Sequence, residues 1–373
     1  MYKLLGDDYH FISTEPMEDE RKEMGWEVKT AQPYEIKSYE SEARYQEAMR
    51  IANESDLVVI GSAPDEFIKR RLGNNRLVIR YNERMFKSGR WHIFSPRLLW
   101  FLYWNHFIHR NSNVFMLCAS AYTAGDFALV GAYKNKAYKW GYFPETKTYD
   151  IDKLLEMKRS AIMEILWVGR FLGLKHPEAA IEVARRLRND NINFKLRMIG
   201  AGEKEQGIRQ LIAKHNLSGF VSLEGSMPPE KVREYMERAN IFLFTSDFNE
   251  GWGAVLNEAM NSGCAVVASH AIGSAPFLIK NGTNGYLYRN RDINDLYLKV
   301  KKLAEDKALS EEFGRNAYKT IIQTWNAENA AEKLIALFTA KLEGREIEIP
   351  EGPCSKAESL HLKGIQVILA LED

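Results

Sequence analysis

Ile241-Phe-Leu-Phe-Thr-Ser-Asp-Phe-Asn-Glu250-Gly-Trp-Gly-Ala-Val-Leu-Asn-Glu258-Ala-Met-Asn-Ser262 reads as a strand, a polar loop, a pair of glycines and a helix. The run Ile241 to Phe244 is apolar on both alternations, the pattern of a parallel strand covered on both faces. Thr245 to Asn249 is the loop. The helical pattern after Gly253 stops before Gly263, a residue that ends helices readily. This order aims free backbone N–H groups and the positive end of a helix dipole into a cleft, which suits a phosphate. Glu250 and Glu258 bracket the site. An anion site between two hydroxyl-binding carboxylates suits a nucleotide-sugar, with the diphosphate on the backbone and the sugar and ribose hydroxyls on the glutamates. Two glutamates at this distance are common in a chain with 50 acids, so their setting in the strand–loop–glycine–helix order carries the inference.

Working outward, the same alternation recurs on both sides. Glu164 to Gly169, Phe194 to Ile199, Phe220 to Glu224 and Ala265 to Ser269 read as strands. Pro177 to Asn189, Glu203 to His215 and Pro228 to Ala239 read as the helices between them. Before residue 150 a second series runs through Tyr9–Thr14, Tyr34–Tyr39, Asp56–Ser62, Arg76–Tyr81, Val114–Cys118 and Ala137–Phe143. Its helices are Ser41–Glu54 and Asp65–Leu72, and Glu18–Trp26 is helix or loop. Alternating strands and helices mean parallel sheets covered on both faces. The expected fold is therefore α/β, two doubly wound Rossmann-like domains facing a cleft. The expected bounds are 1–155 and 160–325, then a helix at 326–343 and a tail at 344–373 with an apolar run, Ile365 to Leu371. Ligands of such sheets bind beyond the carboxyl ends of the strands.

Composition narrows the classes. The chain has 373 residues, 45% hydrophobic and 27% charged, enough for two packed cores. A net charge of +1 argues against a general nucleic-acid binder. Cys118, Cys264 and Cys354 are too sparse for a disulfide framework or a zinc site, and with no leader read at Met1 they point to a reducing, cytoplasmic setting. Leu98-Leu-Trp-Phe-Leu-Tyr-Trp104 is too short to cross a bilayer. We read it first as a helix packed inside the first domain. Its aromatic content and basic flanks also suit peripheral contact with a membrane at the inner face of the cell.

Other groups fall at strand ends. Gly169-Arg170…Lys175 precedes the helix opened by Pro177. Two cations beside a helix N-terminus oppose its dipole unless an anion lies between them, and Arg and Lys are the side chains that hold phosphates. Gly200-Ala-Gly202 lacks the third glycine of a dinucleotide fingerprint, since position 205 is Glu205. Gly225-Ser226-Met227 is either a nucleobase-contacting loop or a plain strand-to-helix turn. Arg80 and Glu83 close one strand of the first half, and Asp126 follows another.

Together these residues resemble the family 4 retaining glycosyltransferases, which have the two-Rossmann GT-B fold. The resemblance rests on the Glu-x7-Glu segment from Glu250 to Glu258, on Gly169-Arg170…Lys175, Gly200-Ala-Gly202 and Gly225. It continues through Gly263-Cys-Ala-Val-Val-Ala268, Gly273 and Asn281-Gly-Thr-Asn-Gly285, and covers about residues 164 to 290. It implies that Glu250 contacts the donor sugar and Glu258 the ribose. Backbone amides of Gly251, Trp252, Gly253, Ala254 and Val255 would contact the sugar and diphosphate, with Gly169, Gly202, Gly225, Ser226 and Met227 completing the donor side. Arg170 and Lys175 would neutralise the leaving diphosphate. The resemblance further implies transfer with retention, no metal and no cofactor, a saccharide or lipid-linked acceptor, and a final helix crossing back to the first domain. Arg80, Glu83 and Asp126 are the acceptor-side candidates.

Two features depart from the family. The glutamate often found four residues after Gly273 is Phe277. The first half begins with what reads as the end of a helix, Met1 to Leu5, where a central apolar strand and a glycine loop are expected. Such a loss leaves an unpaired sheet edge, and we expect an in-frame strand-and-glycine segment upstream of Met1. The alternative function is a catalytically impaired nucleotide-sugar-binding protein of the same fold. An epimerase or phosphorylase ranks lower; a phosphorylase would need a pyridoxal lysine, which the sequence does not advertise.

Overall fold

All nine strand pairings among the described residues are parallel. The computed structural model describes residues 1–18, 32–87, 89 and 94–360. The expectations for Glu18–Trp26 beyond Glu18 and for the run Ile365–Leu371 lie outside them.

The second half holds six strands: β7 (Met163–Val168), β8 (Phe194–Ile199), β9 (Val221–Gly225), β10 (Ile241–Phe244), β11 (Ala265–Ser269) and β12 (Gly285–Tyr288). Their order is β12-β11-β10-β7-β8-β9, so the first strand of the series is central. This is the doubly wound order, with the winding reversing between β7 and β10. Each residue of β10, β11 and β12 is buried, because helices cover both faces. Period-two alternation sorts them. Ile165, Trp167, Ile241, Leu243 and Val267 face one core with the helices Pro177–Asn189 and Ile293–Glu305. Leu166, Phe242, Phe244, Val266 and Ala268 face the other, with Val255–Asn261 and Lys307–Gln323. Each such Leu, Ile or Phe contributes roughly 1.5–3 kcal/mol relative to exposure.

The first half is wound likewise but is divided. β3 (Val58–Ile60), β4 (Val78–Asn82), β5 (Val114–Cys118) and β6 (Ala137–Lys139) form one sheet in chain order, and β1 (Phe11–Ser13) and β2 (Glu35–Lys37) form a separate pair. No strand among the described residues joins them as β7 joins β8 to β10. Phe11 and Val59, on the two strands that end these sheets, are exposed. The helix Ala327–Leu342, capped by the Asn326 side chain, lays Leu334, Leu337 and Phe338 on Leu77, Ile79, Phe115 and Tyr138 of the first half. The tail then runs back along β6: Cys354 N donates to Lys139 O at 2.8 Å, and Lys139 N to Ser355 O at 2.8 Å.

The aromatic helix is not packed inside. Pro96–Leu102 continues through a π-helical turn, Tyr103–Phe107. Leu102 and His106 are buried and Leu98 packs on the same core, a stripe at four-residue spacing. Phe94, Leu99, Trp100, Phe101, Tyr103 and Trp104 are exposed. A helix apolar all round reads as buried from sequence. Only its narrow inward stripe meets the core.

Candidate active site

The glycine-bearing loop after β10 lies at the carboxyl edge of the second sheet, facing the first half. Each of its glycines answers to a neighbour. At Gly253 φ is 82°, and a Cβ would lie 2.7 Å from the Phe244 ring. At Gly251 a Cβ would lie 2.2 Å from the Glu83 carboxylate, so Glu83 of the first half abuts this loop. The loop's own bonds run through its carbonyls: Leu256 N donates to Gly253 O and Ser274 N to Trp252 O. Among the described residues, the N–H groups of Gly251, Trp252, Gly253, Ala254 and Val255 meet no backbone acceptor. Five successive amides without a backbone acceptor are available to an acceptor from outside the chain.

Glu250 and Lys175 are brought together in a direct ion pair, both mostly buried. The Lys175 ammonium also lies 5.6 Å from the centre of the Phe244 ring. Thr245 Oγ1 donates to Lys175 O at 2.6 Å and Asp247 N to Leu174 O at 3.0 Å, stitching the 170–176 loop to the loop after β10. Arg170 is exposed on the same segment. Glu258, one helical turn into Val255–Asn261, is half-buried, and its carboxylate accepts no hydrogen bond among the described residues. Burial raises its carboxyl above the ordinary range, opposed by the charge of Arg233.

Gly200 and Gly202 serve close packing. A Cβ at Gly200 would fall 2.0 Å from Gly169 O, and one at Gly202 2.8 Å from Phe171 O. Phe171 N donates to Ala201 O at 2.8 Å. The pair therefore fixes the height of the Gly169–Lys175 loop. Gly225 closes β9 with φ 73° and open space beside it; Ser226 is exposed, and Met227 packs on the core. The Trp252 indole is buried against Gly141 and donates to Asn257 Oδ1 at 2.8 Å, so only the Trp252 backbone faces the cleft.

On the first half, the three strand-end candidates part company. Glu83 accepts from Tyr142 Oη and Lys87 Nζ, both at 2.6 Å, beside Gly251. Arg80 is buried and forks onto Asp65 at 2.8 Å. Asp126 is buried, accepts from the backbone N–H of Met85 and Phe86 at 3.0 Å and pairs with Arg84. Arg80 and Asp126 thus hold the scaffold, and Glu83 alone of the three reaches the donor-side loop. The halves also meet where Ala121 N donates to Gly273 O at 2.9 Å. A Cβ at Gly273 would strike Gly251 O.

Sequence reasoning missed the group that holds the loop in place. His176 has left-handed backbone, φ 47°, directly before Pro177. Its Nε2 lies 3.1 Å from Asp247 and its Nδ1 3.0 Å from Glu178. The hydrogen bond to Glu178 holds the imidazole pKa above its ordinary value, against burial. The available signal was a bulky residue between a strand-end loop and a helix-opening proline, a place that needs an external brace. His106, unassigned from sequence, is structural: buried, 2.7 Å from Tyr133 Oη, its pKa lowered by burial to about 3.

Residues 157–320 match the family described as glycosyl transferases group 1. Among curated proteins, the chain is 31% identical over 174 residues to the poly(ribitol-phosphate) alpha-N-acetylglucosaminyltransferase of Staphylococcus aureus, covering 46% of this chain and 34% of that protein. It is 32% identical over 151 residues to the amylovoran biosynthesis glycosyltransferase AmsK of Erwinia amylovora, covering 39% and 37%. The chain thus spans little more than a third of the length of these relatives. Among solved structures, Anabaena HepE in complex with UDP superposes with a TM-score of 0.60 at 18% identity, over 79% of this chain and 82% of that one. TarM superposes with 0.58 at 21%, over 77% and 55%. These likenesses show the fold, two Rossmann-like domains.

Proposed function

We propose, from the premise that the chain belongs through residues 157–320 to the glycosyl transferases of group 1, that it moves a sugar from a nucleotide-diphosphate sugar to a hydroxyl of a saccharide or lipid-linked acceptor. The observation that carries this reading is the row of amides from Gly251 to Val255 that meet no backbone acceptor among the described residues, set between Glu250, which pairs with Lys175, and Glu258. The diphosphate accepts from these N–H groups. Glu258, whose carboxylate meets no donor among the described residues, takes the ribose hydroxyls, and Glu250 takes hydroxyls of the donor sugar.

Arg170 and Lys175 supply the positive charge that the departing diphosphate needs, so metal independence and the absence of a cofactor belong to the same reading. Lys175 meets Glu250 before substrate arrives, and the incoming phosphate and sugar hydroxyls exchange for that pair. Transfer then proceeds on one face with retention. The bond from the anomeric carbon to the phosphate oxygen breaks, the acceptor oxygen bonds to that carbon, and the leaving phosphate oxygen takes the acceptor proton. Glu83, across the cleft, orients the acceptor. The setting is cytoplasmic, at the inner face of the cell membrane where the acceptor is lipid-linked.

A second reading, donor binding without turnover, is favoured by one observation, the divided sheet of the first half. Two measurements separate them. A donor present at a hundred times its dissociation constant stabilises the chain by about 2.7 kcal/mol, so a thermal-shift screen of uridine, guanosine and adenosine donors finds the ligand. Radiolabelled transfer to acceptor then decides turnover. If no donor raises the melting temperature, both readings fall. If one does and no acceptor is modified, only binding stands.

A further inference from the structure

The exposed aromatic face of the helix 96–107 belongs to neither core nor cleft. Phe94 is 82% exposed, Trp100 66% and Trp104 51%, with Leu99, Phe101 and Tyr103 beside them. Isolated exposed apolar side chains are ordinary, but here six lie within eleven residues and Trp104 touches both Trp100 and Tyr103, with ring centroids 6.5 and 5.4 Å apart, a cluster that marks an interaction surface. The ring chemistry narrows the partner. Trp and Tyr combine an apolar body with one polar edge, the combination favoured at headgroup level in a bilayer.

Charge narrows it further. The whole chain is nearly balanced, 51 bases against 50 acids. Between Glu83 and Glu145, however, there are eight Lys and Arg and one carboxylate, Asp126, which is buried; Arg84 pairs with Asp126 and Lys87 with Glu83, which leaves six further cations in the segment. Arg97 and Arg110 flank the patch and are exposed. The Arg110 guanidinium lies 4.0 Å over the Phe107 ring, and Lys136 Nζ reaches Arg110 O at 3.1 Å, so two cations gather past the end of the helix while Arg97 stands in its first turn. A face of aromatic rings bordered by Arg97 and Arg110, which meet no carboxylate among the described residues, complements an anionic lipid surface.

We infer that this face seats the protein on an anionic bilayer, with Trp100, Tyr103 and Trp104 at headgroup depth and Arg97 and Arg110 on lipid phosphates. Placement gives the seat a use. β4 ends at the cleft, where Glu83 meets the donor-side loop, and β5 begins at the opposite edge. The helix 96–107 therefore belongs to the connection that links the cleft edge of the sheet to its opposite edge. An acceptor held in the bilayer approaches along that connection toward Glu83. This consequence rests on the proposed transfer reaction, whereas the lipid seat itself does not.

Co-sedimentation of the full chain with vesicles tests it, using phosphatidylcholine alone and phosphatidylcholine with about a third phosphatidylglycerol. The chain is expected to pellet with the anionic vesicles, to be released by salt, and to show tryptophan quenching by brominated acyl chains. Trp100→Ser with Trp104→Ser lowers binding at least tenfold. Arg97→Gln and Arg110→Gln each lower it about fivefold, the factor equivalent to ~1 kcal/mol per cation. A donor-induced thermal shift equal to that of the parent shows that these variants are folded and keeps failure of the lipid seat distinct from failure of the donor site. If the chain stays in the supernatant with anionic vesicles and no quenching occurs, the inference is overturned. It is equally overturned if the tryptophan pair is needed only for self-association seen by sedimentation velocity.

Discussion

The two halves of this protein are wound on one plan and finished differently. In the second, β7 sits in the middle and hydrogen-bonds both β8 and β10, so six strands share one sheet and two continuous cores. In the first, four strands share a sheet and β1 and β2 stand apart. The second half also carries the densest backbone constraints. Gly200, Gly202, Gly251, Gly253 and Gly273, all at or beside the cleft loops, each stand where a Cβ would strike a neighbour; in the first half Gly141 does so, against Trp252, whereas Gly6 and Gly73, like Gly207 and Gly219 of the second half, face open space. Chemistry that uses backbone amides demands a rigid, fully determined sheet beneath it. Recognition by side chains such as Glu83 tolerates a looser one.

The largest expected effect tests whether the second half carries the chemistry. Lys175→Ala and Arg170→Ala should each lower kcat by about 10²–10³-fold, the scale of removing one electrostatic stabiliser of a transition state, with donor affinity changed much less. Steady-state kinetics with varied donor checks this. A loss confined to KM would assign both cations to binding and undo their proposed role. Glu83→Gln gives the opposing measurement from the first half: a raised KM for acceptor with donor KM unchanged.

Next in size is a contrast of stability. Gly200→Ala forces its Cβ to 2.0 Å from Gly169 O at φ 132° and should destabilise by about 3 kcal/mol through strain and displaced backbone. Gly73→Ala should stay within about 0.5 kcal/mol, as surface changes do. Urea denaturation of both variants reads the difference, and equal midpoints would show that the two halves are equally constrained.

Glu258→Gln is smaller again. Hydrogen bonds to a charged acceptor contribute about 1.5–3 kcal/mol, so donor KM should rise roughly tenfold or more while kcat changes little. Isothermal titration with the free nucleoside diphosphate checks that the loss lies in the nucleotide.

What the sequence disclosed follows the same divide. Strands β7, β8, β10 and β11 were legible because continuous apolar runs bounded by glycines have few other solutions. The loop glycines were legible because backbone geometry admits almost no other residue there. The aromatic helix was misread, since Leu98 and Trp100 look alike to a hydropathy pattern and only the packed structure tells which meets a core. The separation of β1 and β2 from β3 was legible only as an expected unpaired edge, because pairing between strands is a long-range property. The bracing trio of His176, Asp247 and Glu178 was invisible for the same reason: His176 and Asp247 are 71 residues apart.

That trio gives the smallest and most local test of how the second half fixes its loop. Hydrogen bonding to Glu178, and then to Asp247, raises the His176 pKa above its ordinary value, while burial opposes it. A histidine whose folded pKa is raised contributes stability that is fully present below its unfolded value, about 6.5, and that is lost as pH rises through the folded value. Arg291, 3.5 Å from Asp247, keeps part of the brace when the imidazole is neutral. The loss should therefore be under about 1 kcal/mol, the scale of partly exposed ion pairs. The parent chain should melt at a lower temperature at pH 9 than at pH 6. In His176→Asn, whose side chain suits the left-handed backbone, the part of that drop due to the imidazole should vanish. An identical pH dependence in parent and variant would remove His176 from the set of charges that hold Lys175 against the donor loop.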